Sequence, residues 1–94
     1  MEQAISGSKT PVALDEQLSA DLAGEVVILN LKNGVYYGLD DVGYRIWGLI
    51  QEHKTVRHIR DAIIGEYEVD QTRCERDLVG LLQRLTDEGL IEVK

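Results

Sequence analysis

The sequence predicts an α+β fold: a three-stranded antiparallel sheet followed by three helices, in a winged helix-turn-helix outline. Three observations predict it. Asn33-Gly34 stands between two apolar, strand-forming runs, the pattern of a tight hairpin. From Asp40 onward the apolar spacing changes from alternating to helical. Each helical stretch opens on Asp or Thr, and the last closes at Gly89, which are start and stop signals for helices.

Taken in chain order, residues 1–10 are small and polar without a period and are expected to be a flexible terminus, leaving 11–94 as a single domain. Val12, Leu14 and Leu18 lie at even spacings and predict a first strand over about 12–19, with a loop over 20–24. Residues 25–31 (EVVILNL) are aliphatic and β-branched and predict the second strand. A two-residue type I′ turn at Asn33-Gly34 requires φ > 0 at both positions. It would set Leu31 opposite Tyr36 and Leu29 opposite Gly38, with 35–39 as the third strand.

Asp40 or Asp41 is suited to cap a helix over about 41–52, carrying Ile46, Trp47, Leu49 and Ile50 on one face. Thr55 caps a second, over about 55–66, with Ile59 and Ile63 turned inward. Asp70 caps a third, over about 70–88, whose stripe is Cys74, Leu78, Leu81, Leu82 and Leu85. Gly89 suits the left-handed position beyond its end. The expected core is Trp47, Leu49, Ile50, Ile59, Ile63, Leu78, Leu82 and Leu85. The apolar tail 90–93 is expected to fold back on it.

Composition narrows the function classes. The 94 residues are 44% hydrophobic and 29% charged, with a net charge of −7. That balance argues against a general nucleic-acid binder, whose affinity rests on neutralising phosphates. Residues 70–89 hold five acids and three bases, a net of −2 on the helix that would enter a DNA groove. A winged-helix DNA-binding regulator is therefore the weaker alternative. No apolar run approaches the ~20 residues of a spanning helix, and no apolar segment near the start suggests a signal peptide, so a cytoplasmic location and no membrane span are expected.

Candidate chemistry is thin. His53 and His58 stand five apart with no accompanying ligand pattern. Cys74 is the single cysteine and falls on an apolar stripe, where a thiol serves as a small hydrophobe. No phosphate-loop spacing occurs among the glycines. The expectation is no catalytic residue, no metal and no cofactor.

The sheet is more informative. Val26, Ile28, Val35, Tyr37 and Leu39 make one apolar face; Val27, Leu29, Leu31 and Tyr36 make the other apolar too. Three short helices cover one face only, so the second needs the N-terminal segment, a second copy or a ligand. The strand at 35–39 is the last before the helices, and hence an expected edge able to accept an extended peptide.

The stretch 27–47, VILNLKNGVYYGLDDVGYRIW, resembles the PqqD-like family of precursor-peptide recognition elements. The likeness continues through Thr55-Val56, Ile59, Ala62-Ile63, residues 67–70, Asp77-Leu78, Leu81-Leu82, Leu85 and 89–91, covering about 12–93. Tyr44 departs from the family, which commonly has Ala nearby. The resemblance implies a winged helix-turn-helix fold that binds the leader of a ribosomally made peptide as an added strand. The short hairpin is most similar to the stand-alone leader-binding proteins of lasso-peptide pathways, which serve a transglutaminase-like cysteine protease. A PqqD-type chaperone for a radical SAM enzyme is the related alternative. The implied peptide-binding residues are Leu29, Leu31, Val35, Tyr36, Tyr37 and Gly38 on the hairpin, with Arg73, Cys74, Asp77, Leu78 and Leu81 on the third helix.

Overall fold

A computed structural model describes residues 7–15, 17–22 and 25–94. The elements run β1 (Pro11–Ala13), β2 (Gln17–Leu22), β3 (Glu25–Asn30), β4 (Tyr36–Leu39), α1 (Asp41–Gln51), α2 (Val56–Tyr67), α3 (Gln71–Asp87) and β5 (Ile91–Val93). The α+β class holds: β2, β3 and β4 form a three-stranded antiparallel sheet in that order, and three helices follow it.

The expected first strand is two strands in two sheets. β1 pairs with β5, joining the first and last strands, with Val12 opposite Glu92. The chain bends at Asp15, and β2 pairs with β3, setting Leu18 opposite Leu29. The expected loop over 20–24 is thereby shortened, since β2 continues to Leu22; Ala23 and Gly24 lie outside the described residues. Residues 17–22 extend the sheet sideways instead of covering its second face.

The hairpin also differs from expectation. Leu29 faces Tyr36 and Ile28 faces Tyr37, a register two residues away from that of a two-residue turn. Asn30 N–H donates to Val35 O at 3.0 Å and Gly34 N–H to Asn30 O at 2.8 Å, so residues 31–34 make a four-residue loop. Only its last residue, Gly34, has a positive φ, 73°. Two side chains explain the longer loop. Asn33 Oδ1 accepts from Val35 N–H at 2.9 Å, and Asn30 Oδ1 accepts from Lys32 N–H at 2.8 Å; both compete with the tight turn for backbone donors. A slip of two residues leaves every side chain on its expected face, whereas a slip of one would have inverted the sheet.

The helices begin as expected. Asp40, Thr55 and Asp70 accept from the N–H groups of Gly43, His58 and Arg73. α2 has further caps: Lys9 O accepts from Val56 N–H at 2.9 Å and Gly7 O from Arg57 N–H at 3.0 Å. With Thr55 these satisfy three of the four donors a helix start leaves free. Residues 7–10, expected in the flexible terminus, are thus bonded to α2 and, through Thr10, to Lys94; residues 1–6 lie outside the described part. α3 ends with Leu90 N–H on Leu85 O and Gly89 N–H on Thr86 O, with Gly89 at φ 75°. This is a Schellman closure, and it turns Leu90 and Ile91 into the core.

The core lies between the three helices and the inner face of the sheet. Trp47, Leu49, Ile50, Ile59, Ile63, Leu78, Leu82 and Leu85 are all buried, as expected, beside Val26, Ile28 and Leu39. The outer face stays open: the cross-strand row Leu18, Leu29, Tyr36 ends in side chains that are 59% and 70% exposed at Leu18 and Tyr36.

Candidate functional site

β4 has β3 on one side and no strand on the other among the described residues. Because Asn30 and Val35 share a ladder bond, antiparallel alternation directs the backbone groups of Tyr37 and Leu39 toward β3. Tyr36 and Gly38 therefore turn their N–H and C=O groups outward. Gly38 is exposed, and a Cβ there would meet no atom within 4 Å. The edge is open to an added strand.

Across from this edge runs α3, and between them lies a groove of about 1080 Å³. Two ties fix α3 in place. Arg60 on α2 donates to Glu75 Oε2 at 2.7 Å, and Asn30 Nδ2, on a side chain only 3% exposed, donates to Glu88 O at 2.6 Å. The second tie joins the hairpin directly to the end of α3, so the width of the groove is set at one end by a buried side chain.

Of the expected site residues, Tyr37, Gly38, Arg73, Cys74, Asp77, Leu78 and Leu81 line this groove. Leu29 and Tyr36 lie on the outer face of the sheet, and Leu31 and Val35 are exposed in and beside the hairpin loop. The structure does not bring those four side chains together with α3. Residues the sequence reading passed over also line the groove, among them Asp40, Val69, Arg76, Gly80 and Arg84. The signal for Arg76, Gly80 and Arg84 was present: they follow one another at i, i+4 and i+8, a single stripe of a helix. Arg84 reaches across to β4, its guanidinium carbon 5.7 Å from the centroid of the Tyr37 ring, a cation–π contact.

Burial foremost, then the negative charges of Asp77 and Glu75, pushes the Cys74 thiol above its ordinary pKa, away from the thiolate that nucleophilic chemistry uses. His53 and His58 are exposed at the ends of helices and are absent from the groove lining. Among the described residues no group of three or more His, Cys, Asp or Glu side chains could hold a metal ion, and no helix is long and apolar enough to cross a membrane. Three arginines and three aspartates, Asp40, Asp70 and Asp77, line the groove, which is formally neutral in a chain of net charge −7.

Comparison with known proteins fits this geometry. The family model described as coenzyme PQQ synthesis protein D (PqqD) matches residues 25–91. The solved structure of TbiB1 in complex with the TbiA(beta) leader peptide superposes with a TM-score of 0.80. It is 46% identical, over 86% of this chain and 94% of that one. Lasso peptide synthetase B1 complexed with the leader peptide also gives 0.80, over 87% and 96% of the two chains, at 24% identity. That likeness bears on the fold alone. No curated protein matches the chain.

Proposed function

We propose, from the premise that this chain belongs to the PqqD family, that it is a non-catalytic adaptor of lasso-peptide biosynthesis. It captures the leader of a ribosomally made precursor by strand addition and presents it to a transglutaminase-like cysteine protease in the cytoplasm. The observation that carries the reading is the free edge of β4 lying along a groove walled by α3. Backbone bonds at Tyr36 and Gly38 supply affinity with little selectivity, and side chains across the groove supply the selectivity. The leader-bound state of the 46% identical TbiB1 supports the same choice of ligand. Three helices with a hairpin beside them support the winged helix-turn-helix description, over a domain of 11–94 that residues 7–10 join through their bonds to α2 and Lys94.

Fluorescence polarisation with labelled TbiA(beta) leader tests the proposal. The wild-type chain is expected to bind it and to leave labelled duplex DNA unbound at low salt, where phosphate contacts are strongest. Leu81→Asp, which places a charge in the apolar part of the groove, is expected to weaken leader binding at least tenfold. Arg57→Ala, exposed on α2 and away from the groove, is expected to bind normally. Tight, salt-sensitive DNA binding without leader binding would replace the adaptor with a regulator.

A further inference from the structure

The wall that α3 turns to the groove is charged along its middle, and the charges stand in order. At about 100° of turn per residue, Arg73, Asp77 and Arg84 fall within about 40° of one another around the helix, at the centre of the lined arc. Cys74, Leu78 and Leu81 lie on its core side and Arg76 on its outer rim. The stripe reads cation, anion, cation. Two of the three aspartates lining the groove are engaged as helix caps: Asp40 Oδ1 accepts from Gly43 N–H and Asp70 Oδ2 from Arg73 N–H. Asp77 is exposed. Among the described residues, neither its carboxylate nor the Arg73 guanidinium one turn away takes part in an ion pair or a hydrogen bond. Arg84 is held over the Tyr37 ring, a stacking contact that leaves guanidinium N–H groups available to an oxygen.

A strand seated on β4 pairs one edge of its backbone there. Its other edge presents the N–H and C=O groups of alternate residues to α3. Along its length a helix offers no backbone partners, because its own N–H and C=O groups bond one another. Groups left unpaired against the wall would cost affinity, so side chains must supply the partners. Two residues of strand advance about 6.8 Å and four residues of helix about 6 Å, so the wall from Arg73 to Asp77 keeps step with that edge. We infer that Arg73, Asp77 and Arg84 stand in for a neighbouring strand: Asp77 accepts a backbone N–H of the bound peptide, and the two guanidiniums donate to its C=O groups. Donors and acceptors set out in this way favour neither acidic nor basic side chains, in keeping with a formally neutral groove. The grip is independent of peptide sequence and leaves side-chain reading to apolar positions such as Leu81. It rests on the strand-addition reading and adds a second edge of contact to it.

The test is a double-mutant cycle on the whole chain, read by fluorescence polarisation. Each backbone N–H of labelled TbiA(beta) leader is removed in turn by replacing one amide with an ester, which keeps every side chain. The series is measured against wild type, Asp77→Ala and Arg76→Ala, with thermal unfolding alongside to show that all three are folded. Wild type is expected to lose affinity at alternate positions, where N–H groups meet β4. It is also expected to lose about tenfold at a position between them, the worth of a hydrogen bond to a charged group. In Asp77→Ala that intervening loss is expected to vanish while the alternate losses remain; in Arg76→Ala, on the rim, both persist. Alanine in place of the same leader residue is expected to weaken wild type and Asp77→Ala by equal factors, because the carboxylate meets backbone. Arg73→Gln and Arg84→Gln combined are expected to weaken the leader and each of its alanine-scanned forms by one common factor. Ester losses that are the same in wild type and Asp77→Ala overturn the second edge while strand capture stands. A leader that binds with no ester-sensitive position, or does not bind at all, overturns both.

Discussion

Asn30 shows how much a single side chain carries in this fold. Its amide bonds Lys32 N–H in the hairpin loop and Glu88 O at the end of α3, and its backbone N–H and C=O close the loop. Removing this buried amide takes away its bonds to two backbone groups, at about 1–3 kcal/mol. Asn30→Ala is therefore expected to lower the unfolding midpoint and to loosen the hairpin end of the groove, seen as faster amide exchange at Lys32. Nothing in the local sequence marked this residue, because its partner lies 58 positions away. His53 is a different case. It sits at φ 64° beyond the end of α1, where His53 N–H and Lys54 N–H reach back to Ile50 O and Leu49 O. An L-residue in that conformation costs about 1–2 kcal/mol that glycine avoids. His53→Gly is expected to raise the midpoint by about 4–8 °C for each kcal/mol recovered in a domain of this size. Cys74 was legible as a packing residue from its stripe, and its raised pKa has a direct readout. Alkylation by iodoacetamide at pH 8 is expected to be much slower in the folded chain than in denaturant, because the thiolate is disfavoured on folding.

At the scale of the elements, periodicity read the helices well because each has its own cap and its own apolar stripe, both local properties. It read the strands less well because their limits depend on pairing. The even spacing of Val12, Leu14 and Leu18 looked like one strand, yet β1 and β2 answer to different partners, β5 and β3. The same distinction explains the site. The α3 wall was partly legible, but the sequence reading joined it to Leu29, Leu31 and Tyr36, which lie on the outer face and in the loop. Alternation had already set Tyr37 and Leu39 on the other face, and that is the face the groove uses. The edge of β4 gives a prediction of its own. Gly38 directs its N–H outward while Tyr37 and Leu39 bond β3, so proline at 38 removes a donor from the free edge and none from the ladder. Gly38→Pro is expected to weaken leader binding at least tenfold with an unfolding midpoint close to wild type. Tyr37→Pro, which breaks a ladder bond, is expected to lower the midpoint. Equal leader affinity for wild type and Gly38→Pro would remove strand addition at this edge from the account.

Over the whole molecule, the first and last strands close the structure together. β1 and β5 pair residue for residue from Pro11 to Ala13 and from Val93 to Ile91, and Thr10 and Lys94 extend the ladder with two 2.9 Å bonds. Leu90 and Ile91, at 1% and 2% exposure, anchor this closure beneath α3. A domain of this length holds roughly 5–14 kcal/mol of stability at about 0.05–0.15 per residue. Deleting two buried aliphatic side chains costs about 2–5 kcal/mol each, and truncation after Gly89 also removes the partner of β1. The sum is comparable with the entire stability, so the truncated chain is expected to be largely unfolded by circular dichroism at 25 °C. The milder change Glu92→Ala, at the exposed middle position of β5, keeps the ladder and both anchors and is expected to stay folded with its leader affinity intact. A truncated chain that retained a cooperative unfolding transition near the wild-type midpoint would show that the sheet of β2, β3 and β4 with its helices is self-sufficient, and that closure of the ends contributes little.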